Sequence, residues 1–117
     1  MRLARLKARR DFLRVAGTHK RFAAPGLVLQ VRSHEGDEIT ALEPIRIGFT
    51  VSRKVGGAVV RNRVRRRLRA AALQVMAARA KPGRDYVVVG RKEAVSRPFD
   101  ALLADLDTAL AKTGSHT

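Results

Sequence analysis

A chain of 117 residues, 45% of them apolar, is sized for one domain with a modest core and is too apolar for a basic disordered tail. Its formal net charge of +15 marks it as a partner of polyanions, and nineteen arginines against six lysines favour bidentate phosphate contact. The absence of cysteine excludes disulfides and thiolate metal sites, and no apolar run approaches the roughly 18–20 residues that span a membrane, so a reducing cytoplasm is the expected compartment.

The N-terminal MRLARLKARRDF is basic but lacks the apolar stretch of a secretory signal. A mitochondrial-type targeting helix shares that composition, yet this segment runs into the fold without a cleavage-like break. Residues 9–16 read as a short helix, with Phe12, Leu13 and Ala16 as its apolar side. Pro25-Gly26 punctuates a turn, and 27–32 alternate as a strand: Leu27, Leu29 and Val31 to one face, Val28, Gln30 and Arg32 to the other. Residues 33–44 read as an acidic, solvated loop.

The cleanest alternation is at 45–52, with Ile45, Ile47, Phe49 and Val51 toward a core and Arg46, Gly48, Thr50 and Ser52 away from it. A long helix follows to about Ala80, ended by Lys81-Pro82-Gly83. Residues 86–90 make a third apolar strand. A last helix presents Phe99, Leu102, Leu103, Leu106 and Leu110 as a stripe, with Ser96 and Asp100 as candidate caps and Asp100, Asp105 and Asp107 elsewhere around it. Thr113–Thr117 should fray. The order helix, strands, helix, strand, helix predicts a single domain over 1–117, a sandwich of helices on one sheet.

The long helix carries the strongest signal. Residues 61–69 contain six arginines, Arg61, Arg63, Arg65, Arg66, Arg67 and Arg69, with Asn62 between the first two. Val60, Val64, Leu68, Ala71 and Val75 fall on one helical stripe, so Arg61, Asn62, Arg65, Arg66 and Arg69 project from the other side. A solvated helix face normally mixes signs. Here Glu43 is the only acid between Ala41 and Asp85, which points to a face that meets nucleic-acid phosphates.

The outward face of the sheet (Gln30, Arg32, Arg46, Thr50, Ser52) suits single-stranded nucleic acid, although only 4% of residues are aromatic; Phe12, on a short helix, is either a ring leaning over that face or a core residue. His34-Glu35-Gly36-Asp37-Glu38 lacks the second histidine of a zinc motif, His19 and His116 stand isolated, and Thr50, Ser52 and Ser96 have no evident base. Gly56-Gly57 is not followed by the Lys-Ser/Thr of a phosphate-binding loop. The chain alone shows no catalytic apparatus. Residue chemistry leaves a ribosomal or other non-catalytic RNA-binding protein, a metal-dependent nuclease and a DNA-architectural protein as alternatives, the last without a minor-groove arm or wedge.

Residues 49–66, FTVSRKVGGAVVRNRVRR, resemble the signature of the bacterial ribonuclease P protein subunit, approximately S-V-S-[KR]-[KR]-x-G-x-A-V-x-R-N-R-x-[KR]-R. The likeness extends from Arg10-Asp11-Phe12 through Leu27-Val28-Leu29 to Asp85–Val89. It implies an α+β, two-layer α/β sandwich with a mostly antiparallel sheet of about four strands, three helices and a left-handed βαβ crossover across 45–52, 58–80 and 86–90 (ribosomal protein S5 domain 2-like). Handedness rules alone favour the right-handed form.

The resemblance also implies a function. The family's protein is a small basic partner of a catalytic RNA, and the ribonucleoprotein removes the 5′ leader of precursor tRNA. Catalysis resides in the RNA, which binds most of the Mg²⁺; no protein or membrane partner is implied. By position, Arg53, Lys54, Arg61, Asn62, Arg63, Arg65, Arg66 and Arg69 match RNA-binding residues. Phe12, Ala16, Val28, Gln30, Arg32, Arg46, Thr50, Ser52 and Arg91 fall at the cleft for the leader. Ala16 replaces a helix aromatic of many members, Gln30 a strand tyrosine of some, and Gly57-Ala58 their Asn-Ala.

Overall fold

One mixed sheet organises the chain in the computed structural model, which describes residues 3–116. Met1 and Arg2 of the basic N-terminal segment, and Thr117 of the tail, lie outside the described residues. The strands run in the order β1 (Ala4–Arg5), β4 (Ile45–Val51), β5 (Arg84–Gly90), β3 (Leu27–Ser33) and β2 (Arg21–Ala23). β1–β4 and β4–β5 pair in parallel, β5–β3 and β3–β2 antiparallel. The α+β sandwich is as expected, with five strands close to the four anticipated; two of the four pairings are parallel, so the sheet is evenly mixed rather than mostly antiparallel. The edge strands β1 and β2, two and three residues long, are too short to carry a periodic signal.

α3 (Ala58–Arg79) crosses from β4 to its parallel neighbour β5. With α4 (Phe99–Lys112) it covers one sheet face. Val64, Leu68, Ala71, Ala72 and Met76 of α3 meet Leu102, Leu106, Ala109 and Leu110 of α4 over Leu27, Leu29, Val31, Ile45, Ile47, Val51, Tyr86 and Val88. The buried stripe of α3 runs toward Ala72 and Met76, and Val60 and Val75 at the expected stripe's ends are only half-buried. The acidic stretch includes a short helix, α2 (Glu38–Ala41).

α1 (Arg9–Gly17) lies on the opposite sheet face. Its buried residue is Val15, packed with Leu6 and Val87, while Leu13 is 57% exposed, contrary to the apolar side expected of this helix. Phe12 is half-buried over Gly48 of β4, where a Cβ would collide with the ring. Glycine is needed there for close approach, not for backbone conformation.

Two further expectations fail for identifiable reasons. α4 starts after Pro98 with no side-chain cap, and Asp105, expected on the polar side, is buried where its carboxylate takes Gly26 N–H at 3.0 Å and a two-pronged contact from Arg97. The tail is tied down as far as His116: Ser115 donates to Leu110 and accepts from Lys81, Thr113 Oγ1 donates to Ala109, and His116 bridges Ala80.

Tyr86, the single tyrosine in a chain without tryptophan, is fully buried and its hydroxyl donates to Lys81 O at 2.6 Å. Burial pushes its ionisation up to about 12. An unfolded tyrosine ionises near about 10. The folded state thus holds the Tyr86 proton more tightly, a contribution complete below about pH 10 and lost as the pH rises through about 12. Ultraviolet titration of tyrosinate should give one transition displaced to about 12 that coincides with loss of stability. Ionisation near the free value with the fold intact would contradict this packing.

Candidate nucleic-acid interface

Two surfaces result, one on α3 and one on the sheet face beneath α1. The first turn of α3 has neither an acidic residue nor a side-chain cap, so the positive end of its dipole is bare just after Arg53 and Lys54 in the chain. Asn62, Arg63, Arg66 and Arg69 are exposed, and Arg61 and Arg65 half-buried. Asn62 Oδ1 accepts from Arg65 at 2.8 Å, which orients that guanidinium along the face. Arg61 Nε is screened from solvent and has no hydrogen-bond partner. None of Arg53, Arg61, Arg63, Arg65, Arg66 and Arg69 pairs with a carboxylate among the described residues.

Arg67 is the exception in the cluster. It donates to Ala94 O at 2.6 Å and to Arg97 O, tethering the 3₁₀ turn Lys92–Val95 to α3. Its charge serves two backbone carbonyls.

The sheet face is laid out by register. Val28, Val89 and Thr50 form one row across β3, β5 and β4; Gln30, Val87 and Gly48 the next; Arg32, Asp85 and Arg46 the third. α1 covers the middle row through Val15 and Phe12. The half-buried Val28, Val89 and Thr50 remain as a floor beside Phe12, and Ala16 is exposed one helical turn further along α1. Ser52 and Arg91 are exposed where β4 and β5 end, and Arg91 also donates to Ala24 O at 2.8 Å. Gln30 is half-buried opposite the exposed Arg21 of β2.

The third row is different in kind. Asp85, 1% exposed, accepts from Arg46 Nε at 2.8 Å and Nη2 at 2.7 Å, and its Oδ1 lies 2.8 Å from Nε2 of the buried His34. Arg32 Nη1 approaches Asp85 at 3.7 Å, while its Nη2 donates to Glu38 at 2.8 Å. Arg14 meets Glu38 at 3.1 Å and Arg46 meets Asp11 at 3.7 Å, which fastens α1 to the sheet.

Burial alone would raise the Asp85 carboxyl, but Arg46 and the hydrogen bond with His34 outweigh it and hold it below the ordinary aspartate value. The Glu35 N–H and the Arg32 guanidinium hold Glu38 at about 2. Arg32 and Arg46, expected in an open cleft, are thus engaged inside the protein. The acidic loop is likewise not simply solvated, since His34 is buried and Glu38 closes an ion-pair chain. The sequence signal for this network is faint: Asp85 opens an apolar strand, and only parallel register places it beside Arg46.

Residues 1–114 match the family model described as Ribonuclease P. The chain belongs to the ribonuclease P protein family. It is 54% identical to the ribonuclease P protein component of Paramagnetospirillum magneticum, over 97% of this chain and 85% of that protein. It is 48% identical to the counterpart from Ruegeria pomeroyi, over 92% and 83%. The fold matches the Staphylococcus aureus RNase P protein with a TM-score of 0.76 at 23% identity, covering 97% of both chains. The Thermotoga maritima RNase P protein matches with a TM-score of 0.70 at 27% identity, over 87% of this chain and 90% of that one. The family is that of the protein subunit of the ribonuclease P endoribonuclease, which acts in tRNA 5′ processing.

Among the described residues no cluster of three or more potential metal ligands occurs, and Asp85, Glu38 and Asp105 each face arginines, so these residues present no donor set fitted to Mg²⁺. No helix among them is long and apolar enough to cross a membrane.

The ion network carries a prediction. Asp85→Asn leaves Arg32 and Arg46 without their buried counter-charge and should destabilise the fold by about 3 kcal/mol, because an unpaired buried charge costs more than the pair contributes. A denaturant midpoint unchanged from the parent would show that the network contributes nothing.

Proposed function

We propose that this chain binds the ribonuclease P RNA through the basic face of α3 and the single-stranded 5′ leader of precursor tRNA through the sheet face beside α1. In this reading it works in the bacterial cytoplasm. The observation that carries it is the sorting of the arginines. Those of the sheet and of α1 that reach acids are neutralised within the protein, whereas Arg53, Arg61, Arg63, Arg65, Arg66 and Arg69 face outward with no carboxylate partner among the described residues. Such a surface favours a polyanion, whose condensed counterions are released when its phosphates meet the arginines.

The leader path has a floor of Val28, Val89 and Thr50, a wall at Phe12, and Ser52 and Arg91 at its mouth. Gln30 offers an amide toward it and Arg21 a free charge. Arg32 and Arg46 hold α1 in place rather than touching phosphates. With one aromatic wall, grip on the leader rests on shape and charge more than on stacking. Ala16, lacking a ring, widens the path. The chemistry of hydrolysis, including the Mg²⁺ it needs, belongs to the RNA, and the protein's part is to bind, orient and neutralise.

Cleavage of precursor tRNA by a bacterial ribonuclease P RNA at low Mg²⁺ should rise when this protein is added, at the mature 5′ end, and no cleavage should occur with protein alone. Binding without any change in cleavage would reduce the chain to a generic RNA-binding protein.

A second prediction concerns the salt dependence. Neutralising about six phosphates gives a slope of log affinity against log salt of roughly −4 to −5. Joint substitution Arg65→Ala and Arg66→Ala should flatten it by about 1–2 and weaken binding. An unaltered slope would remove these two residues from the interface.

A further inference from the structure

β4 is paired with β5 along its length, but on its other side β1 reaches only Arg46 and Ile47. Leu6 adds one bond, to Ile47 O at 3.0 Å. Beyond it, no described strand flanks Gly48–Val51. α1 borders this opening on one side and α3 on the other. Two adjoining recesses open there, and both include Arg5, Ile47, Phe49 and Arg69. One extends to Phe12, Gly48 and Arg65. The other, of about 150 Å³, is closed by Leu3, Ala72 and Leu73.

Three features say what would fill the second recess. Its size is well below the ~300–1,000 Å³ that encloses a drug-sized ligand, so it admits one flat ring system and not a folded segment. Its walls are mainly hydrocarbon: Leu73 stays 62% exposed on a helix that buries five apolar side chains, and Phe49 is half-buried with the Arg69 guanidinium 5.6 Å from its ring centroid. Its rim is cationic, since Arg5 and Arg69 line it and Arg65 lines the adjoining recess, none of the three with a carboxylate partner among the described residues. An apolar slot with an aromatic wall and guanidinium planes at its lip is the chemistry that receives a nucleobase and its flanking phosphates.

We propose that this recess takes one unstacked base of the ribonuclease P RNA, with the neighbouring phosphates on Arg5, Arg65 and Arg69. The inference rests on the reading of α3 as the helix that binds that RNA. The catalytic RNA is its source, not the leader, because the recess lies on the Ile47, Phe49 and Leu73 side of β4, continuous with the basic face of α3. Val28, Gln30 and Thr50 point to the other sheet face. Phe49 and Leu73 become base-contacting residues that charge patterning does not single out.

The test has two arms. Leu73→Ser removes one apolar wall from an exposed position without changing charge, and Phe49→Leu removes the ring while keeping an apolar group. Each should weaken affinity for ribonuclease P RNA about five- to tenfold, as loss of base stacking does, with the salt slope unchanged. Leu73→Ser should also keep the parent's melting temperature. In the second arm, the Leu73 methyl resonances are followed while a short single-stranded oligoribonucleotide is added, and then the same chain with abasic sites. Saturable shifts with the bases and not without them are expected. Unchanged RNA affinity in Leu73→Ser, equal shifts with abasic chain, or an effect confined to the leader's contribution to precursor-tRNA binding would each overturn the proposal. Failure of the parent protein to bind ribonuclease P RNA would instead overturn the reading of α3, and the oligonucleotide arm, which contains no such RNA, then decides the recess by itself.

Discussion

Asp85 sits at the start of β5 with almost no contact with water, and the arrangement around it depends on that burial. A carboxylate in this position needs counter-charge, and it receives it from neighbouring strands in register: Arg46 directly, Arg32 at longer range, with His34 completing its hydrogen bonding. Those arginines then reach Asp11 and, through Glu38, Arg14. One buried acid therefore fixes three strands and the helix lying over them. It also engages the two arginines of its own row, Arg32 and Arg46, so this part of the sheet face is less positive than its composition suggests. The charge that remains free is concentrated on α3.

The other controlling constraint is the shared use of β4. One side of its backbone belongs to β5, and the short β1 leaves most of the other side open. Its alternate residues serve opposite faces: Ile45, Ile47 and Val51 the core under α3, Gly48 the seat of Phe12. Phe49 lies on the Ile47 face, packed against the edge of that core where α3 borders the open side of the strand. Both proposed nucleic-acid surfaces therefore converge on one strand.

Much of this is legible in the sequence where the signal is periodic. The alternation at 45–51 and the valine–leucine spacing of α3 identify a strand and a one-sided helix without any structure, and the unbroken run of like charge marks the basic side of that helix. What is not legible depends on register between distant segments. Nothing local distinguishes Arg67, bound to two carbonyls, from Arg66, which is free. Asp85 and Asp105 read as polar surface because only tertiary pairing gives them partners. β1 and β2 are too short for periodicity, and Val15 replaces Leu13 in the core because Leu6 and Val87 determine the face of α1. The leader cleft is the part most altered, since composition counts Arg32 and Arg46 as available while the fold has already engaged them.

The fold divides its arginines into a set engaged inside the protein and a set on α3 without carboxylate partners among the described residues, and the second set is the one proposed to meet RNA. Dicarbonyl modification of arginine, read by mass spectrometry with and without ribonuclease P RNA, tests it most directly. Arg61, Arg63, Arg66 and Arg69 should react in the free protein and be protected in the complex, whereas Arg32 and Arg67 should resist modification in both. Protection centred on Arg32 and Arg46, with the α3 arginines equally reactive in the complex, would contradict the division.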